Sequence, residues 1–230
     1  MLATKVFLER ELYNGIIYPE SDGLPMADNT RQFDWIMTIK GNLDILYEAD
    51  PNVFVAGDLL WYPVEGHPEI RQAPDAMVVF GRPKGHRGSY LQFREDNVTP
   101  QVVFEILSPG NTPAEMTRKR AFYDRHGVEE YYIYDPGAET LEGWRRSAEH
   151  LTPISEMQGW ISPRLGIRFV PGAAGLQIYQ PDGTRFLTFV ELDDRRQQEQ
   201  LRAIFAEERA ARYAAKLRAM GIDPDADEGA

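Results

Sequence analysis

Apolar residues recur at helical spacing between residues 31 and 48, where Phe33, Ile36, Met37, Ile39, Leu43, Leu46 and Tyr47 fall on one stripe. The spacing predicts an amphipathic helix over one face of a sheet, capped by Asn29 or Thr30 and preceded by a Pro-, Gly- and Asp-rich loop at 18–30. Gly41 weakens that helix by about 1 kcal/mol relative to alanine. The period then changes. Val53 to Pro63 is apolar and β-prone with Asp58 embedded in it, and Pro74 to Phe80 reads as a second strand bounded by Gly81 and Pro83. Val102 to Leu107 is almost continuously apolar, as in a central strand covered on both faces. Glu105 is its one polar residue. Two-residue alternation puts it on the face of Val103 and Leu107, where burial is costly without a cation or several donors beside it.

Thr112-Pro113-Ala114-Glu115 combines a capping box with proline at the first helical position. The helix it starts runs to about His126, and Gly127 stops it. Met116, Lys119, Phe122 or Tyr123, and His126 share one face, so Lys119 sits within an apolar stripe. Tyr131 to Tyr134 forms a fourth strand. A helix joined to two strands by short links suits a crossover, and the fold class is α/β with a mixed sheet. Beyond 137 the chain predicts short β segments at 141–145, 151–155, 167–170, 176–180 and 184–189, with Pro181-Asp182-Gly183 as a hairpin turn. Trp144, Trp160, Phe169 and Tyr179 are expected to pack this β extension on the main sheet. From Glu191 to Met220 there is neither Gly nor Pro, and Arg, Gln, Glu and Ala dominate, which predicts a long helix. Ala206, Ala210, Tyr213, Leu217 and Met220 form its apolar stripe, open either to a second copy or to the parent domain. The domains expected are 1–190, the helix at 191–220 and an acidic disordered tail at 221–230.

Composition narrows the chemistry. In 230 residues, 43% are hydrophobic and 27% charged, which fits a folded globular chain. The absence of cysteine excludes disulfides, thiolate catalysis and Cys-type zinc sites. No apolar run reaches membrane-spanning length and no signal peptide is evident, so a cytoplasmic protein is expected. The net charge of −11 argues against tight sequence-independent nucleic-acid binding. The cations are clustered, however, with Arg82, Lys84, His86, Arg87 and Arg94 in one segment and Arg118, Lys119, Arg120, Arg125 and His126 in another. The first of these segments is expected to be a loop, either substrate-facing or simply solvated.

A carboxylate at the start of one strand (Asp75), a second inside the next (Glu105) and a lysine just beyond (Lys119) suit phosphodiester hydrolysis. Two hard anionic oxygens hold Mg²⁺ or Mn²⁺ with waters retained, and the carbonyl of Ile106 can add a third oxygen. Lys119 then acts as base or as electrostatic partner. The same residues also read as a structural ion pair between Glu105 and Lys119. Four scattered histidines show no ligand spacing, and no phosphate loop or nucleophile elbow is present.

The run APDAMVVFG at 73–81, followed by VVFEILSPGNTPAEMTRKRAFYDRHGVEEYYIYDP at 102–136, resembles the Uma2 family of restriction endonuclease-like proteins. The resemblance implies the PD-(D/E)xK nuclease fold, a mixed sheet flanked by helices, with Asp75 and Glu105 at the acidic positions. The general motif places its lysine at 107, where this chain has Leu. Members are thought to supply that lysine from the following helix, where Lys119 stands. The fold also implies an accessory amide or acid on the first helix, for which Gln32 is the candidate. The function expected is a Mg²⁺-dependent endonuclease acting on DNA, open to a homodimer. The alternative is a non-catalytic interaction or regulatory protein on a degenerate nuclease fold.

Overall fold

The structure, a computed structural model, describes residues 10–23, 25–173, 175–221 and 223–224. Residues 222 and 225–230 of the expected acidic tail lie outside the described residues. The chain divides into two units, Met1–Phe186 and Leu187–Ala230.

The first unit opens with a hairpin that the apolar pattern did not announce. β1 (Arg10–Tyr13) and β2 (Ile16–Pro19) pair antiparallel around Asn14-Gly15, whose φ values of 50° and 79° suit the two-residue turn that such a pair favours. Next comes α1 (Thr30–Leu46). Its cap is Asn29, whose side chain accepts the Gln32 N–H. The buried stripe is Gln32, Ile36, Ile39, Asn42 and Leu43, whereas Phe33 is exposed.

The segment 53–63 is not one strand. β3 (Val53–Ala56) and β4 (Trp61–Tyr62) are separate, because Asp58 takes a left-handed φ of 47° that breaks the extended run. β5 (Ala76–Phe80) follows as expected, and β6 (Tyr90–Leu91) pairs parallel to β4. The basic segment between them is tied down by local contacts. Arg87 bonds Glu95 at 2.7 Å and lies over the Phe54 ring, Arg82 pairs with Glu95 and Asp96, and Lys84 caps the carbonyls of Tyr47 and Glu48 at the end of α1. Those charges hold the fold.

β7 (Val102–Ile106), α2 (Pro113–Arg125) and β8 (Glu130–Asp135) form the crossover, with β7 and β8 parallel. The capping box is present at Thr112 and Glu115, and Gly127 takes a φ of 87° just past the helix. β9 (Thr140–Ser147) and β10 (His150–Pro153) complete a six-stranded mixed sheet of order β10-β9-β8-β7-β5-β3. α1 covers one face, together with Phe169 and Ile178 from the small antiparallel pair β11 (Arg168–Val170) and β12 (Gln177–Tyr179). α2 covers the other face with Tyr123 against Val103 and Tyr131. The predicted strand at 184–189 is absent. Thr184 closes the turn at 181–183 through its carbonyl, Arg185 makes a single bridge to Tyr179, and a helix begins at 189.

In the second unit, α3 (Phe189–Ala219) starts from a capping box at Thr188 and Glu191 that lies upstream of the sequence-based start. None of its residues is buried.

Candidate active site

β5 and β7 run antiparallel with Ala76 opposite Phe104. One step further along that register, Asp75 stands beside Glu105 at the carboxyl end of β7. Both carboxylates are buried, at 8% and 2% exposure, so each needs partners inside the protein. Asp75 Oδ2 accepts the Ile106 N–H at 2.6 Å. Glu105 accepts a hydrogen bond from Lys119 Nζ at 2.8 Å on one oxygen and one from the Tyr123 hydroxyl on the other. Lys119 and Tyr123 stand four residues apart and therefore project from the same side of α2. The helix delivers both donors at once.

Gln32 enters from the opposite side of the sheet. Its Nε2 donates to the Ile106 carbonyl at 2.8 Å, and its Oε1 accepts the Asp28 N–H at 2.8 Å. Asp28 also takes the Ser108 hydroxyl, which fixes the Ser108–Asn111 turn above the strand end. All five sequence candidates thus meet at one end of β7: Asp75, Glu105, the Ile106 carbonyl, Lys119 and Gln32.

A cavity of about 280 Å³ opens over this end, lined by Asp75, Lys119 and Gln32 together with Asp22, Asp58 and Glu115. Glu105 does not line it, because Lys119 and Tyr123 cover both of its oxygens. Asp58 and Tyr123, together with Asp22 and Glu115, are members that sequence reasoning did not place here. Asp58 read as a strand residue, although an aspartate inside an apolar run was a signal for a break. Tyr123 was indistinguishable from Phe122 as the apolar member of the helix stripe.

The electrostatics follow from this crowding. Burial and then the neighbouring Glu105 charge push the Asp75 carboxyl well above its ordinary value, against the Ile106 N–H and Lys119, which favour the anion. Burial also raises Glu105, offset in part by Lys119 and Tyr123. For Lys119 burial acts downward, but the charges and hydrogen bond of Glu105 and the charge of Asp75 outweigh it, so the ammonium is held above its usual range. Asp58 is raised by burial and by Asp22.

Two buried carboxylates and a main-chain carbonyl are hard oxygen donors. Among the described residues no three Asp, Glu, His or Cys side chains are grouped closely enough to hold a metal. Donors of this kind are those that Mg²⁺ and Mn²⁺ take, and they differ from the nitrogen and sulfur ligands of structural zinc.

A family model described as "Uma2: Putative restriction endonuclease" matches residues 8–170. Among solved structures, the chain is similar to a crystal structure described as a putative nuclease belonging to DUF820 from Anabaena variabilis ATCC 29413. That match has a TM-score of 0.44 and 15% identity, and covers 68% of this chain and 81% of that one. No curated protein matches.

Proposed function

The chain belongs to the Uma2 family, and from that premise we propose that it is a Mg²⁺- or Mn²⁺-dependent endonuclease that hydrolyses phosphodiester bonds in DNA. The observation that carries the reading is the meeting of Asp75, Glu105 and Lys119 at one end of β7, with Asp75 and Lys119 lining a polar cavity there. In this reading Asp75 and the Ile106 carbonyl would hold the ion, and Glu105 would join them with the oxygen that Lys119 gives up as it turns toward the phosphate. When bound, the ion would polarise the scissile phosphate and acidify a water molecule.

The chain's own groups divide the remaining work. Ile106 N–H fixes the rotamer of Asp75, and Gln32 fixes the Ile106 carbonyl, so two of the three oxygen donors are preset by hydrogen bonds. Tyr123 holds Glu105 from below. Lys119 is an ammonium here and therefore serves as the electrostatic partner, placing positive charge where the pentavalent phosphate develops negative charge. It cannot remove a proton in that state. Asp58 faces the same cavity with a raised pKa, held beside the site by its N–H bond to the Pro74 carbonyl at 3.1 Å, and is the group suited to accept one.

The test is cleavage of plasmid and short duplex DNA with Mg²⁺ or Mn²⁺, comparing wild type with Asp75→Asn, Glu105→Gln and Lys119→Met. A loss of at least about 100-fold is expected in each variant, the scale for removing one preorganised electrostatic group. The Glu105–Lys119 contact also favours a second reading, a structural ion pair in a non-catalytic interaction protein. Equal cleavage by wild type and all three variants would reject the first reading, and no metal-dependent cleavage by wild type would favour the second.

A further inference from the structure

The sheet face that α2 covers holds a second cavity, of about 400 Å³, beside the start of the helix. Register accounts for its walls. Tyr131 pairs with Trp144 and Ile133 with Glu142, and two-residue alternation puts Ile133 and Asp135 of β8 and Glu142 and Trp144 of β9 on this face. Leu107, two residues beyond Glu105 and standing where the general motif has lysine, lines this cavity and not the one over Asp75. Met116 and Arg120, four residues apart on α2, close the other side. Asn111 lines both cavities, so the two adjoin at the start of α2.

The middle of the cavity is apolar and its ends are not. Leu107, Met116 and Ile133 present hydrocarbon, and Tyr131 stacks on the Trp144 indole at 5.4 Å, which fixes that wall. The Arg120 guanidinium lies 5.2 Å from the Trp144 ring centroid, and among the described residues it makes no hydrogen bond or ion pair. Asp135 Oδ1 accepts the N–H groups of Gly137 and Ala138 at 2.7 and 3.0 Å. Those bonds orient the carboxylate, and its second oxygen has no donor among the described residues. A phosphate here is repelled by Asp135 and Glu142, and a cationic side chain by Arg120. An aliphatic group would strip water from Arg120 and Asp135 without replacing their hydrogen bonds. A flat, uncharged group with acceptors on one edge and N–H donors on another meets every condition. Guanine is such a group, with O6 and N7 for an arginine and the N–H groups at N1 and N2 for a carboxylate.

We propose that this cavity binds an unpaired guanine base, its ring on Leu107, Met116 and Ile133, its O6 and N7 toward Arg120 and its N–H edge toward Asp135. A base inside a duplex has its N1–H and N2–H already engaged, so the site takes a single-stranded or flipped-out guanine. The inference rests on the nuclease reading for one point, that this base belongs to the strand whose phosphate lies over Asp75. Binding of the base itself needs neither metal nor cleavage.

The experiment is a titration of the full chain with 2′-deoxyguanosine in the presence of EDTA, followed by saturation-transfer NMR. Wild type should bind it saturably and at least about tenfold more tightly than 2′-deoxyadenosine or thymidine. Arg120→Met keeps a side-chain stem beside Trp144 and should weaken binding at least about tenfold. Asp135→Asn keeps an oxygen for the Gly137 and Ala138 N–H groups but turns an amide donor toward the base, and should weaken it to a similar extent. Lys119→Met should bind the nucleoside as wild type does, which separates this site from the catalytic one. No saturable binding by wild type, equal binding of the three nucleosides, indifference to both the Arg120 and Asp135 substitutions, or displacement of the nucleoside by an equal concentration of inorganic phosphate would each overturn the proposal. Cleavage that still depends on Lys119 would in that case leave the catalytic reading standing.

Discussion

At the scale of single residues, the site is built from groups that fit poorly with stability, and Asp75 shows this most directly. Its folded pKa lies well above the unfolded one because burial and Glu105 disfavour the anion. A group raised in this way contributes fully below the unfolded pKa, near 3.9, and loses that contribution as pH rises through the folded value. Asp75→Asn keeps an oxygen for the Ile106 N–H and removes the charge. It should therefore be more stable than wild type at neutral pH by about 1–2 kcal/mol, while the two converge below about pH 4. Denaturant unfolding at pH 4 and pH 7.5 checks both the gain and its disappearance. Tyr123→Phe should act in the opposite direction. It leaves one oxygen of a buried carboxylate without its donor, at a cost of about 1–3 kcal/mol that is largest where Glu105 is ionised and shrinks as pH falls through its folded pKa. If the penalty is the same at both pH values, the hydrogen bond is not to the ionised form.

At the scale of elements, α2 matters because its register sets where Lys119 and Tyr123 reach Glu105. The capping box fixes that register at the N-terminus. Thr112→Ala removes the acceptor for the Glu115 N–H and should cost about 1 kcal/mol in thermal unfolding. On the far edge of the sheet, a Cβ on Gly143 would stand 2.8 Å from Met157 Sδ and 2.9 Å from Ile154 Cδ1. Both are ends of flexible side chains that can turn aside, so Gly143→Ala should cost less than about 1 kcal/mol, measured in the same way. Elements of this kind were readable in the sequence wherever a local signal and a long-range one agreed. Thr112-Pro113 with Glu115, Asn29 before the Ile36 stripe, and the apolar run at 102–106 each gave an element to within a residue or two. The errors fell where local chemistry overrode period. Asp58 adopts a left-handed turn that splits an apolar run in two, and Asn14-Gly15 turns a hairpin that no long apolar stretch announces. Residues 184–189 look β-prone, but they lead into the α3 capping box. At the site, the carboxylates and the lysine were legible because charge stood out inside apolar patterns. Tyr123 was hidden because a tyrosine in an apolar stripe looks like core until its hydroxyl is placed.

At the scale of the whole molecule, the net charge of −11 and a cavity edged by Asp22, Asp58, Asp75 and Glu115 present negative potential to any anionic ligand. Among the described residues Lys119 is the one cation lining that cavity, and it is held by Glu105. A divalent ion is the natural counterweight, since it would offset the repulsion that raises Asp75 and leave Lys119 free to face a phosphate. The full chain should consequently be stabilised by Mg²⁺ or Mn²⁺ in the absence of any substrate. Binding to the folded state alone contributes about 2.7 kcal/mol at a hundred times the dissociation constant. For a chain of this size that corresponds to a rise in Tm of roughly 5–10 °C. Asp75→Asn and Glu105→Gln should lose most of the rise, whereas Leu201→Asp, which lies in the second unit, should keep it. Ca²⁺ in place of Mg²⁺ tests the chemistry of the donors, because hard oxygen ligands should hold it too and give a comparable rise. A shift of the same size in Asp75→Asn would mean that the ion binds elsewhere on an acidic surface, and the cavity would then have to recognise its ligand with Lys119 alone.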